Sequence, residues 1–172
     1  ESDLVGTRLY VNFKGRGEAL REYSLKWAGK LEQAGHVTLR TSKLSQDDFR
    51  REVLDHRYVL CPPGNGLDTH RMYESLQLGA IPVVFAQQTF NLGPLYCRLP
   101  VLRVNSVDDI SMSFLADAYP ALLNSMRQIW MDEHTSPLSR AYWQAVVKET
   151  VAKQLPTTLR LSINRHDARK KK

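Results

Sequence analysis

Residues 58–85 restrict the fold of this chain more than any other stretch: Tyr-Val-Leu-Cys-Pro-Pro-Gly-Asn-Gly-Leu-Asp-Thr-His-Arg-Met-Tyr-Glu-Ser-Leu-Gln-Leu-Gly-Ala-Ile-Pro-Val-Val-Phe. Residues 58–61 are a short apolar run of the kind that makes a buried strand, and Pro62 and Pro63 stop it. Gly64 and Gly66 then permit backbone conformations and close approaches that a side chain would block. The pattern predicts a helix from near Thr69 to Gly79, a natural C-terminal stop, and a second buried strand over 81–85. A glycine loop that opens a helix presents free N–H groups and a positive dipole end, which suits an anion such as phosphate. His70 and Arg71 fall in the first helical turn, where a cation opposes the dipole, and Asp68 offsets this in part. A bound diphosphate would resolve the conflict.

The rest of the chain alternates in the same way. Residues 8–13 read as a strand, and 18–34 as a helix with apolar positions at Ala19, Leu20, Tyr23, Trp27, Leu31 and Ala34, ended by Gly35. A short strand covers 37–40. Ser45 opens a helix to about Asp55, with Asp47 and Asp48 as first-turn acids. Residues 99–104 form a further strand with Pro100 near its start, and Ser106 caps a helix through Asp108, Asp109 and Ile110. Helices fill 121–133 and 138–154, with Pro137 in a first-turn position and Pro156 as the stop.

That order predicts the α/β class: a Rossmann-like parallel sheet with helices on both faces, ending in helices. Residues 1–155 form one domain, and 156–172 a basic C-terminal tail. In such sheets ligands bind beyond the C-terminal strand ends, near a reversal of strand order. The glycine turns at 14–17 and 64–66 both follow strands directly, so they fall on one edge.

Charge and cysteine usage narrow the classes further. The net charge is +6, a balance that can serve nucleic acid or membrane. Much of the excess is local: Arg160, Arg165, Arg169, Lys170, Lys171 and Lys172 stand against Asp167 alone in residues 160–172. Such a run reads first as a solvated tail, with an RNA or lipid contact as the other reading. No apolar run approaches the roughly 20 residues that span a bilayer. The chain opens on Glu1, which reads as a piece of a longer protein. Cys61 and Cys97 make no disulfide framework, and no Cys/His cluster has zinc spacing.

Gly64, Asn65 and Gly66, followed by Asp68, Thr69, His70 and Arg71, form the leading site, with backbone N–H groups and Arg71 on a diphosphate. Arg71 and Glu74 lie three apart on one helix face. They make either a surface ion pair or a divided site, in which Glu74 accepts hydrogen bonds from ribose hydroxyls. Lys14, Arg16 and Arg21 surround the first glycine turn, as a plain basic surface or as a second phosphate clamp. His70 reaches the sugar or phosphate, or is a satisfied hydrogen-bonding histidine. Trp130, Tyr142 and Trp143 read as core.

Residues 60–84 closely resemble the C-terminal half of exostosin-like glycosyltransferases, which carry a similar strand, a Pro-x-Gly loop, an Arg-x-x-Glu-like helix and a Gly-x-Ile-Pro-Val strand. The likeness extends more loosely over residues 8–110. Pro63 stands where relatives often have Arg, which removes one phosphate contact. The resemblance implies a GT-B enzyme of two Rossmann-like domains, whose C-terminal domain binds the nucleotide sugar and whose N-terminal domain holds the acceptor and, in inverting members, the base. It implies metal-independent transfer from a nucleotide-diphosphate sugar to a glycan or protein acceptor, with no cofactor. Arg71 would hold the diphosphate and Glu74 the ribose. The N-terminal acceptor domain would be missing from this chain, leaving it inactive alone. Golgi lumen or membrane is the implied setting for a eukaryotic member, and cytoplasm for a microbial one. A nucleotide-sugar-binding module without catalysis and a basic RNA-binding Rossmann-like domain are the alternatives, and a nucleic-acid partner is the less favoured.

Overall fold

The computed structural model describes residues 9–15, 17–91, 98–131 and 138–154. The chain divides into two compact units, residues 1–131 and 132–172. The first unit runs β1 (Leu9–Val11), α1 (Ala19–Gln33), β2 (Val37–Leu39), α2 (Gln46–Leu54), β3 (Tyr58–Leu60), α3 (His70–Gln77), β4 (Ile81–Phe85), α4 (Ala86–Asn91), β5 (Leu102–Val104), a 3-10 turn (Val107–Asp109) and α5 (Met112–Met131). The second holds α6 (Arg140–Gln154), where Ser139 Oγ accepts from the Tyr142 N–H at 3.0 Å. The basic tail at 156–172 lies outside the described residues.

The five strands form one all-parallel sheet in the order β2-β1-β3-β4-β5, the α/β architecture expected from the alternation of elements. All of β1, β3 and β4 is buried, as a parallel sheet covered on both faces requires. Leu9 pairs with Tyr58 and Tyr10 with Val59, so Tyr10 and Tyr58 look to opposite faces. Phe49 of α2 lies 6.2 Å from the Tyr10 ring. On the other face the Tyr58 hydroxyl donates to the Leu115 carbonyl of α5 at 2.7 Å.

Helix ends follow the local chemistry. Ser45 Oγ accepts from the Asp48 N–H at 3.1 Å and caps α2. Gly35 and Gly79 end α1 and α3 with φ of 75° and 85°. At Gly79 the bonds Ala80 N–H to Ser75 O (2.9 Å) and Gly79 N–H to Leu76 O (3.2 Å) make a Schellman motif, which turns the chain directly into β4.

Several details differ from the sequence reading. Ser106 does cap, with Asp109 reciprocating, but over a 3-10 turn of three residues. Helix α4 follows β4 without a break, where no helix is evident in the sequence. Helix α5 starts at Met112, nine residues before the expected 121, and carries Pro120 inside it. Pro120 is exposed, so the carbonyl that loses its helical donor can be hydrated. Trp130, expected in the core, is 55% exposed near the end of α5, and the Trp143 side chain lies outside the described ones. No helix among the described residues is long and apolar enough to cross a membrane.

Candidate functional site

From β1 the chain crosses to β2 on one side, while β3 lies on the other. The crevice between the ends of β1 and β3 is therefore the switch point where open α/β sheets bind ligands. The β1–α1 and β3–α3 loops border it.

Gly64, Asn65, Gly66, Asp68, Thr69, His70, Arg71 and Glu74 all line one cleft of about 530 Å³, joined by Arg21 from α1. Lys14 lines an adjoining cleft of about 700 Å³, with Asn12, Arg40, Lys43 and Phe49 among its walls. Arg21 and Arg71 belong to both clefts. Among the described residues the larger cleft is walled by Lys14, Arg21, Arg40, Lys43 and Arg71 and by no carboxylate. Arg16 lies outside the described residues.

The loop at 64–66 is a tight turn, closed by the Gly64 N–H donating to Gly66 O at 3.0 Å. Gly64 has no left-handed φ. Its lack of a side chain matters because a β-carbon there would stand 3.1 Å from Arg21 Nη2. At the first glycine turn the Glu22 carboxylate occupies the space that a β-carbon on residue 15 would need. It accepts from the Gly17 N–H at 3.4 Å. A carboxylate thus already stands beside the turn read as a second phosphate clamp.

Helix α3 starts beyond Thr69 with no side-chain cap and no acid in its first turn. The Thr69 hydroxyl is buried and has no hydrogen-bond partner. Asp68, expected to offset the dipole, accepts from the Tyr73 hydroxyl at 3.2 Å. Burial first, and then Asp68, push the Tyr73 hydroxyl up to about 12. His70 and Glu74 are exposed at the cleft.

Arg71 is the most constrained residue of the site. Its Nη1 donates to Asn12 Oδ1 at 2.9 Å, and its guanidinium lies 4.7 Å from the centre of the Phe49 ring. Burial lowers its pKa from the usual arginine range, with the Arg21 charge adding a little in the same direction and Cys61, Tyr10 and Glu74 opposing. Arginine stays protonated regardless, and holding this cation away from water is costly. Among the described residues no ion pair reaches it, Glu74 included. Its neighbour Cys61 is a buried free thiol, which burial pushes up to about 12, far from nucleophilic use at neutral pH.

Asn12 and Phe49 escaped the sequence reading. Asn12 is the one polar side chain in the run Leu-Tyr-Val-Asn-Phe, and that break in an apolar strand was the available signal. Its Nδ2 donates to Arg40 O at 3.1 Å and Ser42 O at 3.4 Å, tying the ends of β1 and β2 to Arg71. Phe49 carried no signal beyond an apolar helix position. Gln88 of α4 was also missed: its Nε2 donates to Leu67 O at 3.0 Å and its Oε1 accepts from the Phe85 N–H at 2.8 Å, bracing the loop before α3. Among the described residues no cluster of His, Cys, Asp and Glu could hold a metal ion. No protein-family model matches the sequence, and no match is found among curated proteins.

Proposed function

We propose that the unit of residues 1–131 binds a nucleotide-diphosphate sugar and serves as the donor half of an exostosin-like glycosyltransferase. The observation that carries this reading is Arg71. It is a partly buried cation at the start of a helix, met by a neutral amide and an aromatic ring, with Glu74 acting on it only at longer range and no carboxylate at ion-pair distance among the described residues. A desolvated charge without an opposite partner is costly, and a diphosphate at this point would remove that cost.

Two further features support it. Glu74 stands one turn along the helix on the same cleft, where its acceptor oxygens suit the two hydroxyls of a ribose. Arg21 and Lys14 add positive charge around the switch point. During transfer, negative charge builds on the leaving phosphate oxygen, and fixed donors stabilise such charge best. The helix N-terminus and Arg71 would act in that way, without a metal. On this reading the acceptor, a glycan or glycoprotein, and the general base belong to a second Rossmann-like domain, and transfer needs both.

Calorimetric titration with uridine, guanosine and adenosine diphosphates tests the reading. At least one should bind, and Arg71→Ala and Glu74→Ala should each weaken it. Unchanged affinity in both variants would place the site elsewhere. RNA binding that falls steeply with salt, with no nucleotide binding, would overturn the reading.

A further inference from the structure

We propose that Arg21 is the positioning residue of this site. It is a side chain of α1 that pins the β1–α1 loop to the β3–α3 loop and so sets the shape of both clefts. Its effect on ligand binding rests on the nucleotide reading above, whereas its effect on the loops does not.

Two carbonyls from opposite sides of the switch point converge on this one guanidinium. Nε donates to Pro63 O at 2.7 Å, and Nη1 donates to Lys14 O at 3.0 Å. Among the described residues no backbone hydrogen bond joins these two loops beyond the strand pairing itself, so the guanidinium supplies a link that the main chain does not. The group is held in place. It lies 5.4 Å from the centre of the Phe13 ring, Glu18 Oε2 sits 3.3 Å from its Nε, and the side chain is 14% exposed.

The planar fork is what suits the task. It presents donors in a fixed angular relation, so two acceptors bound to it are fixed relative to each other. A lysine would bring the charge without that geometry. The remaining nitrogen, Nη2, points to Gly64: a β-carbon on residue 64 would come within 3.1 Å of it. Gly64 and Arg21 therefore work as one device, the glycine giving up the space that the arginine uses. Loop position in turn fixes where the start of α3 and Arg71 stand relative to Asn12.

The test compares Arg21→Met, which keeps the stem over Phe13, with Arg21→Lys, which keeps the charge. Arg51→Met, at an exposed surface pair on α2, is the control for charge loss. Native-state hydrogen exchange is read at the Glu18 amide, bonded to Gly15 O, and at the Gly64 amide, bonded to Gly66 O. The Cys61 amide, bonded to Val83 O, reports on the sheet. In both Arg21 variants the Glu18 and Gly64 amides should exchange about tenfold faster together, with Cys61 unchanged, as loss of hydrogen bonds to a charged donor implies. Affinity for uridine diphosphate should fall about tenfold in both. Wild-type protection and affinity in Arg21→Lys would overturn the proposal, because charge alone would then suffice. So would faster exchange at Glu18 without Gly64, or an equal rise at Cys61, which would make Arg21 a general stability residue. If the wild-type protein bound no nucleoside diphosphate, the nucleotide reading would fail, and the exchange measurements would still decide the role of Arg21.

Discussion

Arg71 Nη1 and Asn12 Oδ1 lie 2.9 Å apart and join the first turn of α3 to the end of β1. The Asn12 amide is used on both sides, since its Nδ2 donates to the carbonyls of Arg40 and Ser42. One neutral side chain thus gathers β1, β2 and α3 at the switch point and holds a cation there without neutralising it. A hydrogen bond to a charged group contributes about 2 kcal/mol, which offsets part of the desolvation but leaves the charge in place.

Glu74 and Arg71 should separate by probe. On the nucleotide reading Glu74 meets ribose and Arg71 meets phosphate. Glu74→Gln is expected to weaken a nucleoside diphosphate about tenfold and to leave pyrophosphate binding unchanged or improved. Titration with both ligands checks this, and equal losses for the two would sink the division of roles.

Tyr10→Phe should leave the protein as stable as before or more so, by up to about 1 kcal/mol. The Tyr10 hydroxyl is buried without a hydrogen-bond partner, and its ring is fully enclosed beside Phe49 and His56. Removing an unpaired buried hydroxyl removes its desolvation cost. Urea denaturation at pH 7 gives the comparison, and a marked loss of stability would mean that the hydroxyl has a partner in solution.

Stability should decline in alkali. Burial, followed by Glu52, pushes Tyr10 from 10.0 up to about 12, and burial moves Cys61 from 9.0 to about 12. The folded state then holds these protons more tightly than the unfolded state. The resulting stability is fully present below the unfolded values and is lost as pH rises through about 9 to 12. Denaturation midpoints measured from pH 7 to 11 should be level at first and then fall, and the fall should be shallower in Tyr10→Phe. A midpoint that rose with pH would contradict this.

Gly79→Ala should cost about 1 kcal/mol, the penalty for a side chain in the left-handed region. Gly79 has φ of 85°, and an added β-carbon meets nothing within 4 Å, so the cost is conformational alone. Equilibrium denaturation that showed no loss would mean that the Schellman turn relaxes freely.

What the sequence disclosed, and what it did not, follows from range. The run from Tyr58 to Phe85 could be read because each of its signals is local: an apolar strand, a proline stop, glycine at the turn and at the helix end. The cleft residues from Gly64 to Glu74 came with it, being neighbours in the chain. Helix α4 was invisible because it begins straight after Phe85 and is anchored by Gln88 to Leu67, a contact across 21 residues. Helix α5 extends nine residues before the expected 121 and runs through Pro120, a residue that ordinarily breaks a helix and that is exposed here. The Asn12 contact to Arg71 spans 59 residues, and no local pattern encodes it. Nor does any local pattern encode the meeting of Arg21 with Pro63.

The central claim is that Arg71 is kept for an anion at the expense of the ligand-free protein. The most direct measurement is Arg71→Met, with uridine diphosphate titration and ligand-free urea denaturation on the same preparations. The account expects affinity to fall about a hundredfold, while the ligand-free protein keeps or gains stability, because a desolvated cation has been removed. Wild-type affinity in Arg71→Met would contradict it.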